Sequence, residues 1–214
     1  MDRTLPLAPN IIEPPTSKAE ATRARINRTA ISLFAAKGVD QVTTRELAQA
    51  AGLSEGALYR HFSGKDEFAR ELFFSIHEQL ADAIGKSTDG ALALEDQIDN
   101  IVAAYCDTAD RDWEAFTFHL LNTHRFLPYA ENYYAAHPGG TPKSPVGIVE
   151  DIVIRAMDKG DIESGPKESA ALKAAMALGI VLQAALHKIY GRIHGPLGEH
   201  KETFSNAIYS VLKS

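Results

Sequence analysis

Residues 43–65 read TTRELAQAAGLSEGALYRHFSGK. The spacing predicts a short helix, a tight turn, a second helix and the capped start of a third. Thr43 is placed to cap the first helix, because its hydroxyl can accept from the Glu46 amide while the Glu46 carboxylate reaches back to the Thr43 amide. Leu47, Ala48 and Ala51 supply a buried side. Gly52 suits the left-handed residue that ends a helix, and Leu53 plugs the gap before Ser54 caps the next one. In that next helix Leu58 and Phe62, four apart, point into one core. Glu55, Gly56, Ala57, Tyr59 and Arg60 are left on or near the surface as candidate base readers. Ser63 followed by Asp66 repeats the capping pattern, which puts Lys65 in the first turn of a third helix with its ammonium free to meet a phosphate.

Upstream, Ile26, Ala30, Leu33 and Phe34 fall at helical spacing from Lys18 to Lys37, and Gly38 stops the run. The first turns of that helix carry Arg23, Arg25 and Arg28, either a solvated face or a phosphate-facing helix start. Residues 1–17 hold four prolines and no helical period, so they read as a mobile arm. Downstream, Lys65 to about Lys86 predicts one long helix with Phe68, Leu72, Phe73, Ile76, Leu80 and Ile84 on its buried side. Helical stretches follow at about 94–110, 112–125, 146–159, 167–193 and 199–213. HPGGTPKSPVG, residues 137–147, breaks every period and reads as a surface loop or lid. No repeat and no alternating strand pattern is present. The expectation is therefore an all-α chain: an arm over 1–17, a three-helix head over 18–65, and a helical body over 66–214.

The chain has 214 residues, a formal net charge of −6 and an ordinary globular composition. The charge is unevenly spread: residues 18–65 carry +4, the arm −1 and the remainder −9. A basic head on an acidic body holds a polyanion by one end, with an affinity that falls as salt rises. The longest run without Asp, Glu, Lys or Arg, Ala174 to His187, is 14 residues, short of the ~18 that mark a spanning helix, so no membrane segment is expected. A lone Cys106 and the lack of a leader pattern point to a reducing, cytoplasmic setting. Cys106 itself reads as a small core residue, with no second cysteine to resolve an oxidised thiol.

The head resembles the N-terminal DNA-binding domain of the tetracycline-repressor (TetR) family of bacterial transcription regulators. The likeness covers roughly Thr22 to Leu72 and rests on TTRELAQAAGLSEGALYRHFSGKDEF with the preceding ISLFAAKG. It implies an all-α homodimer whose two heads bind successive major grooves of a palindromic operator, and a variable body that pairs the subunits and usually holds a small molecule. It also implies that Thr44 meets phosphate, Arg45 meets a base, and Tyr59, His61 and Lys65 meet phosphates. Arg45 can fork onto guanine O6 and N7. Glu55 could accept from a cytosine amino group, orient Arg45 or Arg60, or stand off the groove. Gly56 and Ala57 permit close backbone approach or contact with a thymine methyl, and Arg60 faces phosphate, base or solvent.

The helix over 167–193 is apolar on more than one face, which predicts burial all round, against its own core and a second subunit. Tyr105, Trp113, Phe116, His119, His124, Tyr133, Tyr134, Gln183 and His187 are candidates for lining a mixed apolar and hydrogen-bonding effector cavity. The chain has no Glu-x-x-His and no His-Glu-x-x-His, so no metal, cofactor or enzymatic activity is expected. The reading is a dimeric repressor released from DNA by a small effector. The rival reading is a DNA-bound adaptor controlled by a protein partner.

Overall fold

The computed structural model of the chain describes residues 17–136 and 144–213. The arm through residue 16, and residues 137–143 of the Pro- and Gly-rich segment, lie outside the described residues. Among those described, the chain is helical and contains no strand. In order the helices are α1 (Lys18–Lys37), α2 (Thr44–Ala50), α3 (Glu55–Leu58), α4 (Lys65–Ser87), α5 (Leu94–Arg111), α6 (Trp113–Phe126), α7 (Ala130–Ala136), α8 (Pro145–Lys159), α9 (Lys167–Ile189) and α10 (Lys201–Lys213). Short 3-10 turns at Leu127–Tyr129 and Leu197–His200 lead into α7 and α10. Contacts divide the chain into two compact units, the described residues of 1–77 with 114–141, and those of 78–113 with 142–214.

The first unit is built on aromatic side chains. Ile26, Ala30 and Phe34, four apart on α1, are buried with Leu47 of α2, Leu58 of α3 and Leu72 and Phe73 of α4. Phe118 of α6 stacks on Phe34 at 5.8 Å between ring centres, and Tyr133 of α7 stacks on Phe74 at 4.0 Å. A fully buried Phe contributes on the order of 1.5–3 kcal/mol through the area it removes from water. The three-helix head thus shares one core with α6 and α7. Sequence periodicity carries no sign of this, since it shows that a helix has an apolar face and not which neighbour covers that face.

In the second unit α10 packs on α5 and α9, and α8 packs on α9. Asp110, near the end of α5, accepts from the amides of Leu197 and Gly198 at 2.8 Å each, satisfying donors that the start of a helical turn otherwise leaves bare. Cys106 is buried among these helices, and burial pushes its thiol up to about 11. It therefore stays protonated, a poor nucleophile.

The apolar helix expected over 167–193 is α9. Only one side of α9 is covered, through Ala170, Ala174, Ala177, Val181 and Ala185, while Leu172 and Met176 stand 62% and 45% exposed. Its packing partners α8 and α10 occupy that single side. The helix also stops at Ile189, where Gly191 turns the chain with φ of 69°. Glu168–Ile189 is long and apolar enough to cross a membrane by length and composition, a test its charge-free core of 14 residues did not meet. Yet Lys173 lies in its first half and donates to the Leu212 carbonyl of α10.

Candidate nucleic-acid interface and effector cavity

The α2–turn–α3 segment is set by three local devices. The Glu46 amide donates to the Thr43 hydroxyl at 3.1 Å, and the Ala57 amide to the Ser54 hydroxyl at 3.2 Å, so both short helices are capped as the spacing predicts. Between them Gly52 adopts φ of 67°, a left-handed conformation that costs a side-chain-bearing residue about 1–2 kcal/mol. Leu53 then donates from its amide to the Ala48 carbonyl at 2.9 Å, closing the turn.

Three details differ from expectation. The Glu46 carboxylate takes Lys37 at 2.5 Å instead of reaching back to the Thr43 amide, because the ammonium at the end of α1 offers a charged donor. Ser63 does not cap α4: its hydroxyl donates to the Glu67 carboxylate, and the Gly64 carbonyl accepts the first helical bond, from the Phe68 amide at 2.9 Å. The α-helical part of the recognition segment lasts one turn. It tightens at its end, with the amides of Arg60 and His61 donating to the Ala57 and Leu58 carbonyls.

On this frame Arg45, Glu55, Gly56, Tyr59 and Arg60 are exposed, Thr44, Ala57, His61 and Lys65 half-buried, and Leu58 and Phe62 buried beneath them. The Thr44 hydroxyl donates to Glu55 Oε2 at 3.3 Å, tying the starts of α2 and α3 together. Gly56 is informative for what surrounds it. A Cβ added there would meet nothing within 4 Å, and its φ is not positive. A glycine within a helix costs about 1 kcal/mol relative to alanine, and no contact inside the described protein compensates. The space beside it is open. Tyr59, 50% exposed, leans on Phe62 at 6.4 Å, and Phe62 stacks flat on Phe68 at 4.2 Å, so the tyrosine is braced with its ring partly bare.

The head's cations sort by partner. Arg23 lies 3.5 Å from Glu71, and Arg28 lies 2.6 Å from Glu114, which also accepts from Ser32 at 2.7 Å. Among the described residues, Arg25, Arg45 and Arg60 have no carboxylate within 4.0 Å. Lys65 donates to the Asp40 carbonyl at 3.4 Å, a weak contact that leaves its charge uncompensated.

Arg125 of α6 is a residue that sequence reading missed. Its guanidinium donates at 2.8 Å to Asp40, between α1 and α2, and at 2.8 Å to Asp66, at the start of α4. The partners are 85 and 59 residues away, so no local pattern announces the pairing. It neutralises two carboxylates beside Lys65 that would otherwise repel a phosphate. We expect Arg125→Ala to lower the melting temperature slightly, since exposed ion pairs contribute about 0–1 kcal/mol each. It should also weaken DNA binding severalfold, more at low salt than at high. Fluorescence anisotropy at two salt concentrations measures this, and restoration by Asp40→Asn in the same chain would attribute the loss to charge.

The effector candidates do not converge. Tyr105 of α5 lines a cavity in the second unit, together with Ile98 and Val102 of α5, Val149 and Val153 of α8, Val181 of α9, and Leu212 of α10. Its free volume is about 30 Å³, and its walls present no polar surface. Trp113 lies under the Lys188 ammonium at 4.4 Å, and Phe116 is buried. His119 and Tyr133 belong to the aromatic core of the first unit, and the Tyr134 side chain lies outside the described ones. His124 and Gln183 are exposed, and His187 sits 6.4 Å from the Tyr190 ring. The walls of this particular cavity are aliphatic apart from Tyr105. Helix rotation turns β-branched residues and leucines toward this space, not the aromatic and polar side chains whose chemistry marks a binding wall in sequence.

His119 has a partner of its own. Its Nε2 lies 3.0 Å from Nδ1 of His77 on α4, with Phe73 stacked on both rings. One imidazole donates and the other accepts, so the two are not both charged. Burial depresses His77 to about 4 and, joined by its neighbour's charge, His119 to about 3.

A capped helix that carries the exposed Arg45, a glycine turn, and a second helix with an open glycine and Arg60 just past its end make a helix-turn-helix DNA-binding module. Residues 26–72 match the family model described as bacterial regulatory proteins, tetR family. The chain is 34% identical over 82 residues to the HTH-type transcriptional regulator TtgR of Pseudomonas putida, covering 38% of this chain and 37% of that one. It is 31% identical over 84 residues to the HTH-type transcriptional repressor KstR2 of Rhodococcus jostii, covering 37% and 41%. The sequence match thus spans well under half the length of these curated relatives. The whole fold is similar to that of the transcriptional regulator FadR from Bacillus subtilis, solved in complex with stearoyl-CoA, with a TM-score of 0.66, 17% identity, and coverage of 89% of this chain and 97% of that one. Residues 26–72 are thus similar to the tetR family of bacterial regulatory proteins, and the fold of the chain is similar to that of a solved transcriptional regulator.

Proposed function

We propose that the protein is a dimeric, sequence-specific transcriptional repressor in the cytoplasm, released from its operator by a small molecule held in its second unit. The observation that carries the DNA reading is the exposed set on α2 and α3: Arg45 without a carboxylate partner among the described residues, Gly56 facing open space, and the uncompensated Lys65 ammonium. In this reading Arg45 reads a base. Gly56 and Ala57 allow close approach. Thr44, Tyr59, His61 and Lys65 hold phosphates, and Glu55 and Arg60 complete the interface. The relative named as a repressor supports the sign of regulation. The neighbour crystallised with stearoyl-CoA supports a small-molecule site in a body of this fold.

Pairing is supported by the outer face of α9 and its C-cap, where Leu172, Met176 and Tyr190 stand 62%, 45% and 64% exposed at spacings of four and fourteen residues. Three large apolar side chains in line along one helix are expected to be covered by a like surface. Met176→Asp should then convert dimer to monomer in sedimentation velocity and abolish operator binding, because each head alone makes half the contacts. A wild-type protein that sediments as a monomer at tens of micromolar would end this part of the reading.

Two heads bind together only when their recognition helices lie about one DNA turn apart, ~34–36 Å. α4 carries Lys65 at one end and continues into the second unit. We place the switch there: a ligand that moves α4 changes the spacing, with a coupling of ~1–3 kcal/mol. Selection of bound fragments from random DNA tests the whole reading, since a palindromic half-site pair at one-turn spacing is expected. Native mass spectrometry separates the rival adaptor, which would hold a protein partner and no small molecule.

A further inference from the structure

We propose that Glu55 fixes one base of each operator half-site as cytosine, whose amino group donates to the carboxylate in the major groove. This rests on the DNA reading above and goes beyond it by naming a base. Of the four residues of α3, Gly56, Ala57 and Leu58 carry no hydrogen-bonding side chain, and Leu58 is buried. Glu55 is exposed. Hydrogen-bonded readout from within this helix therefore falls to one side chain, and a carboxylate accepts without donating. The donors it can meet in the major groove are the N4 amino group of cytosine and the N6 amino group of adenine.

The surroundings of Glu55 favour that role over the orienting of an arginine. Among the described residues neither Arg45 nor Arg60 has a carboxylate within 4.0 Å, so Glu55 holds neither guanidinium. Its Oε2 accepts from the Thr44 hydroxyl at 3.3 Å in the free protein, which keeps the carboxylate beside the start of α2 and the neighbouring Arg45. Its Oε1 has no partner among the described residues. Next to it Gly56 leaves open the space where a side chain would stand. The result is an acceptor held in place, with its charge offset by no cation of the described protein. Beside DNA phosphates that charge costs affinity unless a base donor meets it, so wrong bases are penalised as well as the right one rewarded. Cytosine suits it better than adenine. The adenine amino group is flanked by the N7 acceptor of its own base, which repels the second carboxylate oxygen, whereas cytosine presents a C5 hydrogen on that side.

The test is selection of bound duplexes from random DNA by the unaltered full-length protein, by Glu55→Ala and by Glu55→Gln, followed by titration of the selected operator. One position in each half-site should be cytosine for the unaltered protein and lose its preference in Glu55→Ala. It should turn to adenine in Glu55→Gln, whose amide pairs with N6 and N7 together. Replacing that cytosine in one half-site should weaken the unaltered protein roughly fivefold to 150-fold and leave Glu55→Ala unchanged. N4-methylcytosine keeps its pairing with guanine but puts a methyl group where the groove-facing amino hydrogen stood. It should cause a loss in the unaltered protein and none in Glu55→Ala, a difference that a merely structural glutamate would not produce. Where Glu55→Ala fails to fold, Glu55→Gln, which keeps the tie to Thr44, still decides. A cytosine preference that survives in both variants, or a preference for any other base that collapses in them, overturns the inference. Selected sites that depend on Arg45 and are indifferent to Glu55 sink the cytosine assignment and leave the DNA reading intact. No enrichment by the unaltered protein removes that reading and this one together.

Discussion

An Arg45→Ala protein should retain its fold and lose most of its ability to distinguish operator from random duplex. Arg45 is exposed on α2, and among the described residues no carboxylate competes for its guanidinium. A bidentate contact to guanine carries about 1–3 kcal/mol of discrimination. A two-fold operator makes the contact twice, so the loss sums to about 2–6 kcal/mol, or roughly thirtyfold to ten-thousandfold. The effect should fall on the ratio of specific to non-specific affinity. Lys65→Ala provides the contrast: it removes a phosphate contact at each half-site, weakens all sequences alike, and flattens the dependence of affinity on salt. Competition titrations with operator and scrambled duplex at several salt concentrations separate the two. If Arg45→Ala lowered both affinities equally, the assignment of this arginine to a base would be wrong.

The second large effect concerns acid. His77 and His119 are held neutral in the folded protein at about 4 and about 3, whereas in an unfolded chain each titrates near ~6.5. As pH falls through that value, the unfolded state takes up protons that the folded state refuses. Stability is therefore highest above about pH 6.5 and declines below it, by roughly 1.4 kcal/mol per pH unit for each histidine, until the folded pair begins to titrate. At pH 5 this comes to about 2 kcal/mol from each, a large share of the ~5–15 kcal/mol that holds a typical domain together. Urea denaturation at pH 7.5, 6 and 5 should show the decline, and His77→Leu with His119→Leu should remove it while changing the neutral-pH midpoint much less. The same slope in the double variant would assign the acid sensitivity to other groups. Because the pair lies between α4 and α6 within the first unit, its loss should also loosen α6, and with it the Arg125 contacts to Asp40 and Asp66.

Much of the candidate interface was legible because it is local. The caps at Thr43 and Ser54 and the left-handed Gly52 follow from contacts within five residues, and the four-residue spacing of Leu58 and Phe62 marks the inward side, so spacing indicates which side chains point outward. The misread details, Glu46 and Ser63, are cases where a neighbour distant in sequence or a competing carboxylate offered a better partner than the backbone amide. The effector side was much less legible. A cavity is the space left when four helices pack, and its walls are chosen by helix rotation and offset, which a periodic pattern leaves open. Tyr105 was found because it is a buried aromatic residue. The aliphatic walls carry no such mark, because valine and isoleucine read as ordinary core.

The sequence by itself determined the all-α class, the helix-turn-helix and its outward-facing set, and the basic head on an acidic body, since these rest on propensity, capping and charge counted along the chain. Only the tertiary structure decided that α6 and α7 complete the core under the head, that Arg125 quenches two acids near Lys65, that two buried histidines meet against a Phe ring, and that one face of α9 is left bare. Each of these joins residues dozens of positions apart or depends on which side of a helix its neighbours occupy. Such pairings are settled by the competition among all buried surfaces for one another, and that competition leaves no mark in any single stretch of chain.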